Sequence, residues 1–310
     1  MTRGAATAFL VSVLVLPTGC KTAAQEVPYG KGLTDANKER LLIDDMEDVS
    51  DWSNGSPEET KISISDKHVK NALHALLFAN VVDYTKGEKN YPIGWPRTNR
   101  DMVKAKLTDW SAYDFFECWI YADTSRESLP GTPLGLGFAH TGHKRSTDFA
   151  LKEVKKDEWV KIVIPISKFL DPKDVRSIRF NISESNYKHG DRVDFYISDM
   201  ALTRYVEPAI AEIVVDRRLL YTGEPHITAE YSVMGYKGME DLTAEFEVGK
   251  GDGAPAASAR AKGARKGEVT MPLPQPLTPG TYWARLNLRD ANGGFVDRKE
   301  VEFRVIAGPF

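Results

Sequence analysis

Between Leu41 and Arg204 the apolar residues fall in short runs with little helical spacing. The runs are KISIS (61–65), ALHALLFANVV (72–82), MVKAKL (102–107), DFFECWIYA (114–122), LGLGFAH (134–140), DFALKEV (148–154), WVKIVIPI (159–166), SIRFNIS (177–183) and VDFYISDMAL (193–202). Many alternate apolar and polar residues and are rich in β-branched and aromatic side chains, as strands with one buried face are. In DFFECWIYA, Phe116, Cys118 and Ile120 point one way, and Phe115, Glu117, Trp119 and Tyr121 the other. So many strands in about 160 residues predict an all-β sandwich. The one helical candidate is short, around Ser167–Leu170, and Pro172 closes it.

Pro208 in RYVEPA interrupts the pattern, which then restarts with EIVVD, HITAEYSV, DLTAEFEV, GEVTMPLP, GTYWARLNLRD and KEVEFRVI. Residues 277–303 read as a hairpin. Ala284, Leu286 and Leu288 alternate with Arg285, Asn287 and Arg289, and Asn292-Gly293-Gly294 supplies the turn. The stretch 249–267, rich in Gly, Ala and basic residues, reads as a flexible loop without aromatic rings to stack on bases.

The chain begins with a different pattern. Residues 5–16, AATAFLVSVLVL, carry no charge and follow Arg3. Twelve residues are too short to span a bilayer as a helix, which takes about 20, and suit the apolar core of a secretory signal. The next residues, Pro17-Thr18-Gly19-Cys20, resemble a bacterial lipobox, with Pro17 where Leu is usual. The resemblance implies lipidation of Cys20 and anchoring in the bacterial cell envelope, each buried CH₂ of the acyl chains adding about 0.8 kcal/mol. The expected organisation is a signal peptide at 1–19, a tether at 20–38, a first sandwich at 39–205 and a second at 206–310. Lipidation would leave Cys118 without a disulfide partner, a small hydrophobe in an apolar run. A net charge of −3 offers no basic surplus for nucleic acid.

Four segments together resemble the carbohydrate-binding jelly rolls of the galactose-binding-domain-like class. They are LLIDDMEDVSDWS at the start, LTDWSAYDFFECWIYAD, EWVKIVIPISKFLD, and DFYISDMALTR at the close. Residues from 206 on resemble an immunoglobulin-like or fibronectin-III-like module, chiefly through PGTYWARLNLRD. The resemblance implies a jelly-roll β-sandwich followed by an immunoglobulin-like β-sandwich. It further implies a structural Ca²⁺ shared by Asp45 or Glu47 with Asp199. Ca²⁺ takes six to eight oxygens, and the alternative is a solvated acidic turn at Asp44–Asp48.

Sugars offer an apolar face ringed by hydroxyls, so a site wants flat aromatic rings beside fixed polar groups. The segment 84–101 carries Tyr84, Tyr91, Trp95, Arg97 and Arg100 between turn residues. It is expected to form one wall of a shallow groove, with Trp95 either stacking on a sugar or plugging the end of the sandwich. Trp119, Tyr121, His140 and Asn181 are further candidates for the same face. His140 and His143 in HTGH lack a third ligand for zinc. Nucleophile-elbow, zincin, P-loop and Rossmann motifs are absent from the sequence. The expectation is therefore a non-catalytic, lipid-anchored protein that binds a glycan. The alternatives are a jelly-roll lyase or hydrolase, for which Tyr84, Arg97, His140 and Tyr187 would have to converge, and a structural lipoprotein without a sugar site.

Overall fold

The computed structural model describes residues 33–55, 58–86, 94–143 and 145–308. The protein is all-β and divides into two compact units, one of Arg40–Arg204 and one that gathers Tyr205 onward with residues 33–39. The expected signal peptide, Cys20 and the first part of the expected tether lie outside the described residues.

The first unit is a jelly roll. Its strands are β1 (Lys38–Asp44), β2 (Trp52–Asn54), β3 (Thr60–Ser65), β4 (Ala75–Val81), β5 (Arg97–Asp101), β6 (Phe115–Thr124), β7 (Gly135–His140), β8 (Thr147–Ala150), β9 (Trp159–Pro165), β10 (Val175–Asn181) and β11 (Arg192–Tyr205). Among the described residues they form two sheets. One runs β3-β4-β11-β6-β9 with β1 also on β11, and the other runs β2-β5-β10-β7-β8. The alternation foreseen in β6 holds: Phe116, Cys118, Ile120 and Ala122 are fully buried. Between the sheets Trp110 stacks on Phe116 at 5.8 Å and meets Phe138 edge-on at 5.6 Å. Burial raises the Cys118 thiol far above its ordinary range, so the thiol is a packing group here.

Two expectations about strands are corrected. MVKAKL is not a strand but a turn, because the Asp101 carboxylate accepts the backbone N–H groups of Val103 (2.9 Å) and Lys104 (3.1 Å) and ends β5. The strand lies just before it, at Arg97–Asp101, where the sequence reads as loop. DFALKEV contributes only its first residues, to β8.

The second unit is an immunoglobulin-like sandwich. Its strands are β12 (Ala209–Val215), β13 (Leu219–Tyr221), β14 (His226–Met234), β15 (Thr243–Lys250), β16 (Ala257–Lys262), β17 (Lys266–Pro272), β18 (Gly280–Arg289) and β19 (Phe295–Ile306). They form the sheets β12-β14-β17 and β13-β19-β18-β15-β16. The stretch 249–267 is not a flexible loop throughout. Ala257–Lys262 pairs along β15, with Ala259 opposite Phe246, and Ala259 is buried. Small residues hide a strand from a hydropathy pattern that looks for large ones.

Candidate functional site

The sheet β2-β5-β10-β7-β8 turns one face to the core and the other outward. On β5 the buried residues are Thr98 and Arg100, so Arg97, Asn99 and Asp101 face out. On β10 Ile178 and Phe180 are buried, which puts Ser177, Arg179 and Asn181 outward. On β7 Leu136 and Phe138 take the core, and the outward positions hold Gly135, Gly137 and Ala139. The register builds two rows across this face. One reads Ser53, Asn99, Arg179, Gly137, Asp148, and the next reads Arg97, Asn181, Gly135, Ala150.

Glycines decide how the long polar side chains lie. A β-carbon at Gly55 would stand 2.5 Å from Arg97 Cγ. One at Gly137 would stand 2.8 Å from Arg179 Nη2 and 2.5 Å from Asp148 Oδ1, and one at Gly135 2.9 Å from Asn181 Nδ2. Arg97, Arg179 and Asn181 therefore lie down over glycines instead of standing off the sheet. The Arg179–Asp148 pair crosses Gly137 at 2.9 Å. Arg179 Nη2 also donates to Ser146 Oγ at 3.3 Å.

Trp95 sits at the edge of this face, half-buried. Arg97 Cζ lies 4.7 Å and Arg179 Cζ 5.0 Å from its ring centroid, and Arg97 Nη1 donates to the Trp95 carbonyl at 3.0 Å. The indole thus carries guanidinium groups and, half-buried at the edge of the sheet, is not a plug sealed inside the sandwich. One buried carboxylate holds both Asp83 and Gly94, the residue just before Trp95. Glu184 accepts the N–H of Asp83 at 3.0 Å and of Gly94 at 2.8 Å.

The other expected residues divide. Arg97 and Asn181 are on this face. Arg100 is not: period two turns it inward, where it pairs with Asp44 and donates to the Ile43 carbonyl at 3.0 Å. His140 is buried, its Nε2 2.9 Å from Thr147 Oγ1 and its Nδ1 3.3 Å from the Asp174 carbonyl. Trp119 and Tyr121 lie on the outward face of the other sheet, in the rows Ser198–Trp119–Lys161 and Tyr196–Tyr121–Trp159. There the segment 66–74 covers them. His68 stacks on Tyr121 at 4.1 Å, and Lys70 Nζ lies 4.8 Å from the Trp119 centroid. A single groove uniting all these residues is therefore not what the chain builds. Tyr84 is part-exposed and its hydroxyl donates to the Tyr187 carbonyl. Tyr91 lies outside the described residues. Tyr187 is buried and donates to the Pro133 carbonyl at 2.7 Å.

The acidic opening is explained by its own turns. Asp44 accepts the N–H of Met46 (2.8 Å), Asp45 that of Glu47 (3.2 Å) and Asp48 that of Ser50 (2.7 Å). Asp side chains commonly close such turns. Asp199, expected opposite Asp45 or Glu47 around calcium, instead takes the Arg40 guanidinium and the Asn71 amide (3.3 Å). Among the described residues no group of three or more His, Cys, Asp or Glu is placed to hold a metal ion.

Arg179, Asp148, Asn99 and Glu184 were not singled out from the sequence. A signal was there for part of the face: LGLGFAH places Gly135, Gly137 and Ala139 at period two, and SIRFNIS places Ser177, Arg179 and Asn181 likewise.

No protein-family model and no curated protein matches the chain. Solved structures similar to it include the Endo-D glycoside hydrolase domain of Streptococcus pneumoniae R6, at 11% identity and a TM-score of 0.26, covering 82% of this chain and 37% of that one. A Lactobacillus rhamnosus β-glucuronidase matches at 8% identity and a TM-score of 0.26, covering 88% and 45%. The FN1–FN3 domains of chicken CNTN1 match at 10% and 0.24, covering 80% and 66%. The chain thus spans less than half of either hydrolase structure. The expectation that the protein is non-catalytic is corrected by these neighbours, several of which are glycoside hydrolases; at this level of similarity its enzyme status is not established.

Proposed function

We propose that the protein binds a glycan on the outward face of β2-β5-β10-β7-β8, and that Cys20 anchors it to the bacterial cell envelope. The observation that supports the glycan reading is the flat polar patch of Arg97, Asn99, Arg179, Asn181 and Asp148 beside Trp95. Sugar hydroxyls are recognised by fixed donors and acceptors, and these side chains are fixed by glycines, by an ion pair and by an indole. The anchoring half rests on the apolar run 5–16 and the residues 17–20.

A glycan-array screen of the full chain carrying Cys20→Ala tests the binding half. Binding should appear and should drop at least tenfold in Asn181→Ala, at an unchanged melting temperature. Retention of full affinity by folded Asn181→Ala and Asn99→Ala chains would move the site off this face.

A further inference from the structure

We infer that the jelly roll has a second ligand face, on its other sheet, which takes a glycan bearing free amino groups and which the chain's own segment 66–74 covers. This goes beyond the glycan reading above and stands apart from it, because the two faces belong to different sheets. The outward face of an antiparallel sheet is ordinarily polar. Here β11, β6 and β9 set Tyr196, Tyr121 and Trp159 side by side in one row, and Trp119 lies two residues along β6 on the same side. Tyr121 meets Trp159 at 5.6 Å and Tyr196 edge-on at 6.1 Å.

The segment between β3 and β4 lies over these rings with a flat imidazole and two ammonium groups. His68 stacks on Tyr121 at 4.1 Å and meets Tyr196 edge-on at 4.6 Å. Lys70 Nζ lies 4.8 Å from the Trp119 centroid, and Lys67 Nζ lies 5.9 Å from that of Tyr196 and 3.1 Å from Asp123 Oδ2. A cover made for packing alone would bury Leu73, yet that side chain is 76% exposed. A flat ring beside cations on aromatic faces is what an amino-sugar polymer presents, since each residue offers a C–H face to stack and an ammonium for a neighbouring ring. The segment thus makes with its own side chains the contacts that such a ligand would make. The cover is also light. None of residues 66–74 is buried. Besides the ring contacts and the Lys67–Asp123 pair, Ser198 Oγ accepts the Lys70 N–H at 3.3 Å and donates to the Lys70 carbonyl at 2.9 Å, and the Asn71 amide donates to Asp199 at 3.3 Å. Segments with few buried apolar contacts open locally at small cost. Trp159 continues the row on the edge strand β9 and is half-buried, which gives an arriving polymer a ring to meet first.

The test is calorimetric titration of the full chain carrying Cys20→Ala with a glucosamine hexamer whose amines are protonated, beside the same hexamer fully N-acetylated. The expected result is binding of the amine form, at least tenfold weaker binding of the acetylated form, and at least a tenfold loss in Trp119→Ala or Trp159→Ala. Loosening the cover should tighten binding severalfold, because a ligand binds more weakly in proportion to how seldom its site is open. His68→Ala with Asn71→Ala does this by removing the stacked ring and the Asp199 tether while both lysine charges stay in place. Should that pair unfold, His68→Ala alone serves. Equal binding of the two hexamers would overturn the inference, as would full affinity in folded Trp119→Ala and Trp159→Ala chains or an affinity that does not rise in the loosened chain. Absence of binding in both the parent and the loosened chain would overturn it too. Binding of a free Lys-His-Val-Lys peptide without the hexamer would overturn it by making the face a peptide site.

Discussion

The guanidinium carbon of Arg179 lies 5.0 Å from the centre of the Trp95 ring. Trp95 leads into β5 and Arg179 sits on β10, so the contact ties the edge loop to the middle of the sheet. The same guanidinium holds Asp148 on β8 across Gly137. In the proposed glycan site Trp95 would therefore act through the arginines it supports rather than through a bare ring face.

Removal of that support should be felt in binding before stability. Trp95→Ala should lower the melting temperature modestly, since the ring is only half-buried, while glycan affinity falls roughly tenfold. Cation–π contacts of this kind contribute about 0.5–2 kcal/mol each. Trp95→Phe should recover part of the affinity by keeping an aromatic face. Calorimetric titration beside thermal unfolding reads both quantities; an affinity untouched in folded Trp95→Ala would show that the arginines hold their places without the indole.

The Asp44–Arg100 pair should behave as a buried ion pair. Both side chains are nearly enclosed, at 5% and 9% exposure, and Asp44 also takes the Trp52 indole N–H at 2.8 Å. Burial raises the Asp44 carboxyl despite its cation, so the pair is costly to desolvate. Asp44→Ala should destabilise the jelly roll by about 3–5 kcal/mol, because it takes the close partner from the buried Arg100 charge and leaves it the more distant Asp51 carboxylate at 3.7 Å. Adding Arg100→Met should restore a large part of that. Chemical denaturation of the two variants decides it, and a double variant no more stable than the single would refute the account.

Acidification should loosen the cover over the other sheet. Burial, followed by Lys67, holds the His68 imidazole below its usual range. A depressed folded value means that the unfolded chain binds the proton first, so the stabilising contact is present above about pH 6.5 and is lost as pH falls through the lower folded value. The stability difference between the parent chain and His68→Ala should therefore shrink from pH 7.5 to pH 5. A difference that is constant over that window in melting experiments would mean that His68 packs equally well when charged.

The anchoring proposal has a direct readout. Cys20→Ala should move the protein from the membrane fraction to the soluble one, because the acyl chains lose their attachment atom. Persistence in the membrane pellet after a high-salt wash would remove lipidation from the account.

Sequence alone determined the class of fold. Alternation in FFECWIYAD dictates a strand with one buried face whatever its neighbours, because side chains of a strand point alternately to its two sides. The same holds for GTYWARLNLRD, whose Ala284, Leu286 and Leu288 fill the second core. Small-residue strands such as β16 escaped, since alanine and serine leave no hydropathy period to read. The tertiary structure decided which of the candidate residues meet. Arg97 and Arg100 look interchangeable in the sequence, yet three residues along a strand put them on opposite faces, one on the outward patch and one in the core. Trp119 and Asn181 each fit a sugar platform, yet the sheet order assigns them to different sheets. Arg179 meets Trp95, Gly137 and Asp148 only because β10 lies between β5 and β7; these neighbours are up to 84 residues away along the chain, and the order of strands within a sheet is a property of the closed fold that no local pattern encodes.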